Sequence, residues 1–193
     1  MQLKYPVIVV DCETTGLELA EGHFAVEVAW WNLATNERSC FIPPHSVSLA
    51  LRTGDPIALE MNGYKTRIAR QTQDTSGQEA QRLEYQLTDN TLAGSNPRFD
   101  VGFLAPRVLR PTWHHRLWDL ATYAAGVLGL DYLPGLTDVC EKLGVPAPDH
   151  TAEGDVGATG LCLAILQQWN AKGATKVNTL RDRQLAQEMR KGE

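Results

Sequence analysis

The stretch VIVVDCETTG, residues Val7 to Gly16, decides the fold of this chain. It begins as a short β-branched run, which is typical of a buried strand, and then carries two carboxylates, Asp11 and Glu13. In an extended strand, residues two apart point to one face, so both acids share a face while Cys12 points away. Adjacent carboxylates repel each other, and burial raises the cost. The pair predicts a solvated strand end, a shared proton or a bound cation.

Length and composition indicate one soluble globular domain with a sizeable core. The chain has 193 residues, of which 43% are hydrophobic and 21% are charged. The first residues, MQLKYP, lack the long apolar region of a signal peptide, and we expect a cytoplasmic protein with no membrane partner. Four cysteines are scattered without a CxxC pair, which favours reduced thiols over a disulfide framework or a zinc site.

The net charge of −5 argues mildly against a protein that coats nucleic acid without specificity. It is compatible with a protein that binds a short nucleic-acid end through metal ions. Two divalent cations would change the net charge to −5 + 4 = −1, and the change would be concentrated at one site. Charge alone therefore leaves both classes open.

The order of predicted elements, β-β-β-α-β-α-β-α-α, indicates an α/β domain with a mixed sheet. We predict strands over Val7–Asp11, Phe24–Trp31, Arg38–Ile42, Thr91–Gly94 and Thr112–Trp118. We predict helices around Ile57–Met61, from a Ser76/Glu79 capping box, from Asn96, from Asp119 to Leu128, along Leu133, Leu136, Cys140 and Leu143, and over Thr151–Trp169. Residues 1–170 would form the domain, and residues 171–193 a polar helix or tail.

Two further acids follow predicted strands or begin predicted helices. Asn96 can cap a helix that starts at Pro97, which places Asp100 in its first turn, at the carboxyl end of the preceding strand. Open α/β sheets bind ligands along that edge. An acid that only interacts with the helix dipole is the alternative interpretation of Asp100.

The stretch HTAEGDVGAT supplies His150 and Asp155 near the start of the last predicted helix. Five residues at about 100° each leave the two side chains roughly 140° apart, so they form no single stripe. We therefore place His150 on the loop before the helix, over a site that Asp155 helps to build. An ordinary surface histidine is the alternative.

The segments DCETTG, GSNPRFDVGFL and HTAEGDVGAT together resemble the three motifs of the DEDDh exonuclease family, a DnaQ-like branch of the ribonuclease H-like superfamily. The resemblance covers about Val7 to Gln168. A histidine five positions before the last aspartate favours the His branch. The resemblance implies a ribonuclease H-like mixed five-stranded sheet flanked by helices.

It also implies 3′–5′ release of nucleotides with two divalent metal ions, Mg²⁺ or Mn²⁺. Asp11 would bridge both ions, Glu13 and Asp155 would hold the nucleophile-side ion, and Asp100 the leaving-group side. His150 would be the general base, a role for which an imidazole near neutral pH is suited. Cations would then compensate the Asp11–Glu13 pair with which the sequence began.

Substrate contacts are predicted on the loop after Glu13 and at the second motif, from Thr14, Thr15, Gly16, Leu17 and Asn96. Gly16 allows a sharp turn and a close approach to a ligand, and Leu17 could pack against a base. Met61 and Tyr64 are either a groove edge or core. A basic cluster near the second motif could contact phosphates or simply solubilise the surface; it comprises Arg98, Arg107, Arg110, His114, His115 and Arg116.

We favour a proofreading-type exonuclease acting on single-stranded DNA 3′ ends, with a DNA polymerase as a possible partner. An oligoribonuclease or RNA-trimming exoribonuclease is the first alternative, because no residue marks 2′-OH recognition. A non-catalytic replisome binding module is the second. Retention of all four acids and the histidine argues against that module. The sequence leaves the oligomeric state open.

Overall fold

A computed structural model describes residues 4–105 and 107–190, with side chains described as far as residue 172. Five strands form one mixed sheet in the order β3-β2-β1-β4-β5. The strands are β1 (Val7–Thr14), β2 (Ala25–Asn32), β3 (Arg38–Phe41), β4 (Thr91–Gly94) and β5 (Trp118–Asp119). β1 pairs antiparallel with β2 and parallel with β4, which confirms the predicted mixed sheet.

Strand β1 is the central strand of the sheet, and both of its faces are covered. Val7 and Val9 pack into the core on one face, while Ile8 and Val10 pack into the core on the other. All four side chains are almost completely buried, as a continuous β-branched run requires. The strand extends past Asp11 to Thr14, so both acids lie within it, three residues further than predicted.

Seven α-helices surround the sheet within the described part of the chain. They are α1 (Val47–Thr53), α2 (Pro56–Met61), α3 (Gln78–Leu87), α4 (Pro97–Leu104), α5 (Leu120–Leu128), α6 (Leu136–Leu143) and α7 (Ala152–Arg190). Single 3₁₀ turns occur at Leu19–Glu21 and Ile68–Arg70. Helices α5 to α7 pack on the face of Val7 and Val9, and α3 and α4 on the opposite face.

The predicted start of α3 is wrong in its capping residue. Ser76 and Glu79 form no capping box; instead the carboxylate of Asp74 accepts the backbone N–H groups of Gln78, Glu79 and Ala80 at 3.0–3.3 Å. The hydroxyl of Ser76 donates to Asp74 as well, at 2.8 Å. An aspartate with two oxygens satisfies more of the free N–H groups at a helix start than one hydroxyl does.

Other elements also differ from the sequence-based prediction, and the last helix extends to Arg190 and not only to Trp169. The predicted strand Thr112–Trp118 is a loop that becomes strand only at Trp118–Asp119, since its backbone instead bonds to the α3–β4 turn through Asp89 and Asn90. Leu133 precedes α6 and is 67% exposed, so it does not belong to the helix stripe. Helix α1 was not predicted at all. Side chains beyond residue 172 and residues 191–193, which include most of the predicted tail, lie outside the described part.

The turns and helices place the carboxyl ends of β1 and β4 beside the start of α7. The connection from β4 through α4 leads to β5, which pairs with β4 in parallel. Ala93 pairs with Trp118, and Gly94 pairs with Asp119. None of the helices in the described part of the chain combines the length and apolar character needed to cross a membrane.

Candidate metal centre

Three carboxylates converge at the carboxyl end of β1. Asp11 and Glu13 project from one face of the strand, and Asp155 reaches them from the first turn of α7. One oxygen from each of the three lies within 4.8 Å of the others. Metal–oxygen distances of roughly 2.0–2.6 Å allow oxygens at such separations to share one ion. The purely oxygen donor set fits a hard divalent cation such as Mg²⁺ or Mn²⁺.

Asp100 adjoins this group from the other side of β1. Its carboxylate accepts the backbone N–H of Cys12 at 2.9 Å, and the residue is only 2% exposed. Cys12 lies between Asp11 and Glu13, so this bond fixes Asp100 against the same short piece of backbone. The four acids predicted from the sequence are thus brought together at one end of the sheet.

The negative charges of these acids repel one another. The pKa of Asp11 is raised well above its ordinary value, first by burial and then by the charges of Asp100 and Asp155. Burial is also the largest cause that raises the pKa of Glu13 to about 8 and that of Asp100 to about 7. Without a cation, these groups therefore keep protons that ordinary carboxylates would release. A divalent ion would supply the missing compensation.

Asp155 is held by the loop that precedes its helix. Its carboxylate accepts the backbone N–H of Asp149 at 3.2 Å, while Asp149 itself accepts both the N–H and the hydroxyl of Thr151. Burial raises the pKa of Asp155, and the charge of His150 opposes this. The loop therefore sets the direction in which the Asp155 oxygens point.

His150 lies on this loop, in the position expected for it. The residue is exposed and adopts a left-handed backbone conformation with φ 58°. It precedes Asp155 by five residues, and its charge opposes the rise in the pKa of that acid. Its exposed side chain is open to solvent, as the role of a general base requires.

The loop after Glu13 begins with three buried residues, which are held by hydrogen bonds. Thr14 donates its hydroxyl to the carbonyl of Gly16 at 2.7 Å, and Thr15 exchanges two bonds with the backbone of Phe24 at 2.9 and 3.1 Å. A side chain at Gly16 would collide with the ring of His23, so the loop requires glycine there. Leu17 is 72% exposed at the rim. The loop thus presents an apolar side chain beside the acids.

Asn96 occupies the capping position of α4 but does not cap through its side chain. It is exposed and left-handed, with φ 62°, and its side chain makes no capping hydrogen bond. Asparagine tolerates this conformation better than most residues, which explains its presence. The expectation of a side-chain cap is wrong, while a contact with substrate stays a prediction.

The residues expected to shape a substrate groove do not lie together in the structure. Tyr64 is fully buried and bonds to His45 at 2.8 Å, so it is core and not a base platform, whereas Met61 is 55% exposed. Arg107 bonds to the carbonyl of His23 at 3.4 Å, near the site. His114 stacks on Tyr5, before the start of β1 and so away from the acids.

Sequence reasoning missed two buried polar residues beside the acids. Glu27 is 2% exposed and lies directly opposite Glu13 on β2, and its charge raises the pKa of Glu13. Asn62 is equally buried and donates to the carbonyl of Thr14 at 3.0 Å. A signal existed for Glu27, because a charged residue interrupts the apolar strand AVEVAWWN. For Asn62 no pattern in the sequence pointed to this contact.

Comparison with known proteins agrees with this geometry. The RNase_T family, described as exonuclease, matches residues 8–162. No curated protein sequence gives a significant match. Solved structures share the fold at low identity: the RNase domain of yeast Pop2 aligns with a TM-score of 0.60 and 12% identity, over 86% of this chain and 78% of that chain.

Two further structures are similar to this chain over most of its length. A 3′-exonuclease solved for its 3′-end-specific recognition of a histone mRNA stem-loop aligns with a TM-score of 0.55 and 13% identity, over 86% of this chain and 84% of that chain. The structure of the yeast NOT1 MIF4G domain co-crystallised with CAF1 aligns with a TM-score of 0.58 and 12% identity, over 87% and 80%. These likenesses establish the fold.

Proposed function

This chain belongs to the RNase_T exonuclease family, of DEDDh type and ribonuclease H-like fold, and we propose that it is a metal-dependent 3′–5′ exonuclease acting on single-stranded DNA ends. The observation that carries the proposal is the convergence of Asp11, Glu13 and Asp155 within 4.8 Å, with Asp100 fixed beside them. We propose residues 1–170 as the catalytic unit, with residues 171–193 as an appended segment.

Each acid has a place in the proposed reaction. Asp11, at the centre, would contact two divalent ions, Glu13 and Asp155 would complete the site of one, and Asp100 the site of the other. When bound, such ions lower the pKa of a water and stabilise the charge on the departing 3′ oxygen. The burial and mutual repulsion that raise the pKa values of Asp11 and Glu13 support this assignment, because bound cations would offset both.

His150 would accept the proton of the attacking water. Its exposed position on the loop lets the imidazole reach the reaction from the solvent side and then release the proton. Thr14, Thr15 and Gly16 would orient the terminal nucleotide, with Leu17 packed against its base and Asn96 contacting it from the opposite side of the site. Hydrolysis then releases one nucleoside monophosphate and a shortened strand.

RNA trimming is the second candidate. Two of the similar structures are of proteins associated with RNA. They are the RNase domain of Pop2 and a 3′-exonuclease that recognises a histone mRNA stem-loop. At 12–13% identity, this similarity shows a shared fold and does not identify the substrate. A DNA polymerase partner stays a prediction that belongs to the proposal of a DNA exonuclease.

The test uses 5′-labelled single-stranded DNA and RNA of the same sequence with Mg²⁺, Mn²⁺ or EDTA. We expect a ladder that shortens from the 3′ end with metal, no ladder with EDTA, and none with Asp11→Ala. The Asp11→Ala variant should lose at least about 10⁴-fold in rate, because the contributions of two ions, each several kcal/mol, depend on this residue.

Three outcomes would change the conclusion. Faster shortening of RNA than of DNA would select the RNA-trimming candidate. Binding of both strands without cleavage by the wild type would select a non-catalytic binding module. Equal cleavage by wild type and Asp11→Ala would contradict the assignment of the site.

A further inference from the structure

Glu27 is a fifth carboxylate at the acid end of the sheet, and it is buried like Asp100, whereas the other three acids are half-buried. It pairs with Glu13 across the antiparallel strands, so both side chains point to the same face. With 2% exposure, it has lost its contact with water. A buried carboxylate is costly unless it is paired and hydrogen-bonded, so its partners show what it is for.

Both oxygens of Glu27 are occupied by protein groups. Oε1 forms a close ion pair with the guanidinium of Arg67. Oε2 accepts the backbone N–H of Ala152 at 3.0 Å, a bond between residues 125 positions apart. Burial, and then the charge of Glu27, raise the pKa of the nearby Cys40 thiol to about 12, so this thiol keeps its proton. Both oxygens of Glu27 are therefore engaged by the protein, whereas Glu13 is proposed to bind a metal ion.

The bond to Ala152 fixes the start of α7. Ala152 is the first residue of this helix, and its N–H has no partner within the helix. Asp155 follows three residues later and is carried by the same turn. A shift of the first turn would displace the Asp155 oxygens from Asp11 and Glu13. Glu27 is thus connected to the metal centre through the backbone of α7.

Arg67 extends the connection to the loop after Glu13. Its second guanidinium nitrogen donates to the carbonyl of Asn62 at 2.8 Å. The side chain of Asn62 in turn donates to the carbonyl of Thr14 at 3.0 Å. Arg67 therefore joins the helix that carries Asp155 to the loop that begins at Thr14.

Arg67 is also the base that forms an ion pair with an acid at this end. Arg67 neutralises the one acid whose oxygens are not available to metal.

We propose that Glu27 and Arg67 are positioning residues of the exonuclease, an inference that rests on the proposed function. Glu27 holds Asp155 in place through the first turn of α7. Arg67 neutralises Glu27 and holds the Thr14–Leu17 loop in place through Asn62. Loss of either residue changes the reaction without removing a metal ligand, and the two losses have different kinetic signatures.

Glu27→Gln keeps the size of the side chain and removes its charge. We expect a 10- to 100-fold weaker affinity for Mn²⁺, measured by calorimetry on the protein alone, and a similar fall in kcat, which is the range roughly found for residues that orient metal ligands. KM for a DNA oligonucleotide should change by less than about threefold, since the Asn62 contact survives.

Arg67→Lys should give the opposite pattern. A lysine keeps a positive charge beside Glu27 but lacks the planar fork that reaches Asn62 as well. We expect KM to rise about three- to tenfold, the loss of roughly one hydrogen bond, while kcat and Mn²⁺ affinity stay within about threefold of wild type.

Glu37→Gln and Arg82→Lys are matched controls, because Glu37 and Arg82 form an ion pair at 2.6 Å at the other end of the sheet. Both should behave like wild type. A folded Glu27→Gln variant with wild-type Mn²⁺ affinity and kcat would overturn the inference. If Glu27→Gln does not fold, an unchanged KM in Arg67→Lys overturns it. An inactive wild type would refute the proposed function, while Mn²⁺ titration of Glu27→Gln would still decide the placement of Asp155.

Discussion

Glu27 and Glu37 lie at opposite ends of the same sheet, and each forms an ion pair with an arginine. Glu27 is buried among four other acids, with one arginine for the group. The Glu37 side chain is 35% exposed, bonds to Arg82 and accepts a further bond from Gln86 at 2.8 Å. The exposed end is electrostatically complete within the protein, whereas the buried end is complete only with added cations. The proposed metal site therefore lies at the end where acids outnumber bases.

The largest difference between the ends should appear in the two exposed histidines. His150→Ala should reduce the rate about 10²- to 10⁴-fold, because it removes the proposed base, with Mn²⁺ affinity unchanged. His115→Ala, which alters an exposed histidine outside the acid end, should leave the rate as it is. Single-turnover kinetics and calorimetry measure both. Abolished Mn²⁺ binding in His150→Ala would make His150 a ligand instead of a base.

A second comparison is between two aspartates, each in the first turn of a helix, of which only one lies at the acid end. Asp155→Asn should weaken Mn²⁺ binding by about 100-fold or more, since loss of a ligand should cost at least as much as loss of a residue that orients one. Asp138→Asn changes the corresponding acid in the first turn of α6, where the carboxylate bonds to Tyr132 and Lys142. It should bind Mn²⁺ normally. Full metal binding and full rate in Asp155→Asn would contradict the placement of this residue.

The buried end should also make the metal-free protein sensitive to pH. Folding raises the pKa of Glu13 from 4.5 to about 8, so the folded protein binds more protons than the unfolded chain between these values. Stability should therefore fall as pH rises through this range in EDTA. Saturating Mn²⁺ should raise Tm most at the alkaline side. Thermal unfolding at several pH values measures this, and a Tm that rises from about pH 5 to 8 in EDTA would contradict it.

The smallest effect is expected at the exposed pair. Glu37→Gln should cost about 0.2–1 kcal/mol of stability, as exposed ion pairs generally contribute, and should leave the dependence of Tm on pH and Mn²⁺ as in wild type. Urea denaturation measures the first, and thermal unfolding the second. A loss above about 2 kcal/mol would show that this pair stabilises the fold far more than exposed ion pairs generally do.

The central strand and the acid motifs could be predicted because their signals are local. Alternation along Val7–Thr14 fixes which side chains share a face, and strand Thr91–Gly94 has the predicted bounds. The presence of Asp100 and Asp155 near helix starts followed from capping residues and motif resemblance. These features depend on neighbours in the sequence, and such neighbours are visible in it.

The remaining features depend on partners distant in the chain. Asp74 displaces Ser76 as the cap of α3 because the loop brings its carboxylate over three N–H groups. Arg67 lies in a segment with no clear pattern, and its partner Glu27 is 40 positions away. No periodicity encodes which buried acid meets which arginine. That information is held in the packing of the strands and helices.

The bond between Glu27 and Ala152 has a consequence for biosynthesis. A growing polypeptide emerges from its amino terminus, so β1 and β2 are available long before the segment that contains Asp155. Until that last segment docks on Glu27, a nascent chain holds only part of the proposed ligand set. Under the proposed function, ribosome-bound fragments would therefore leave the nucleic acid around them intact, and cleavage would begin only with a finished domain.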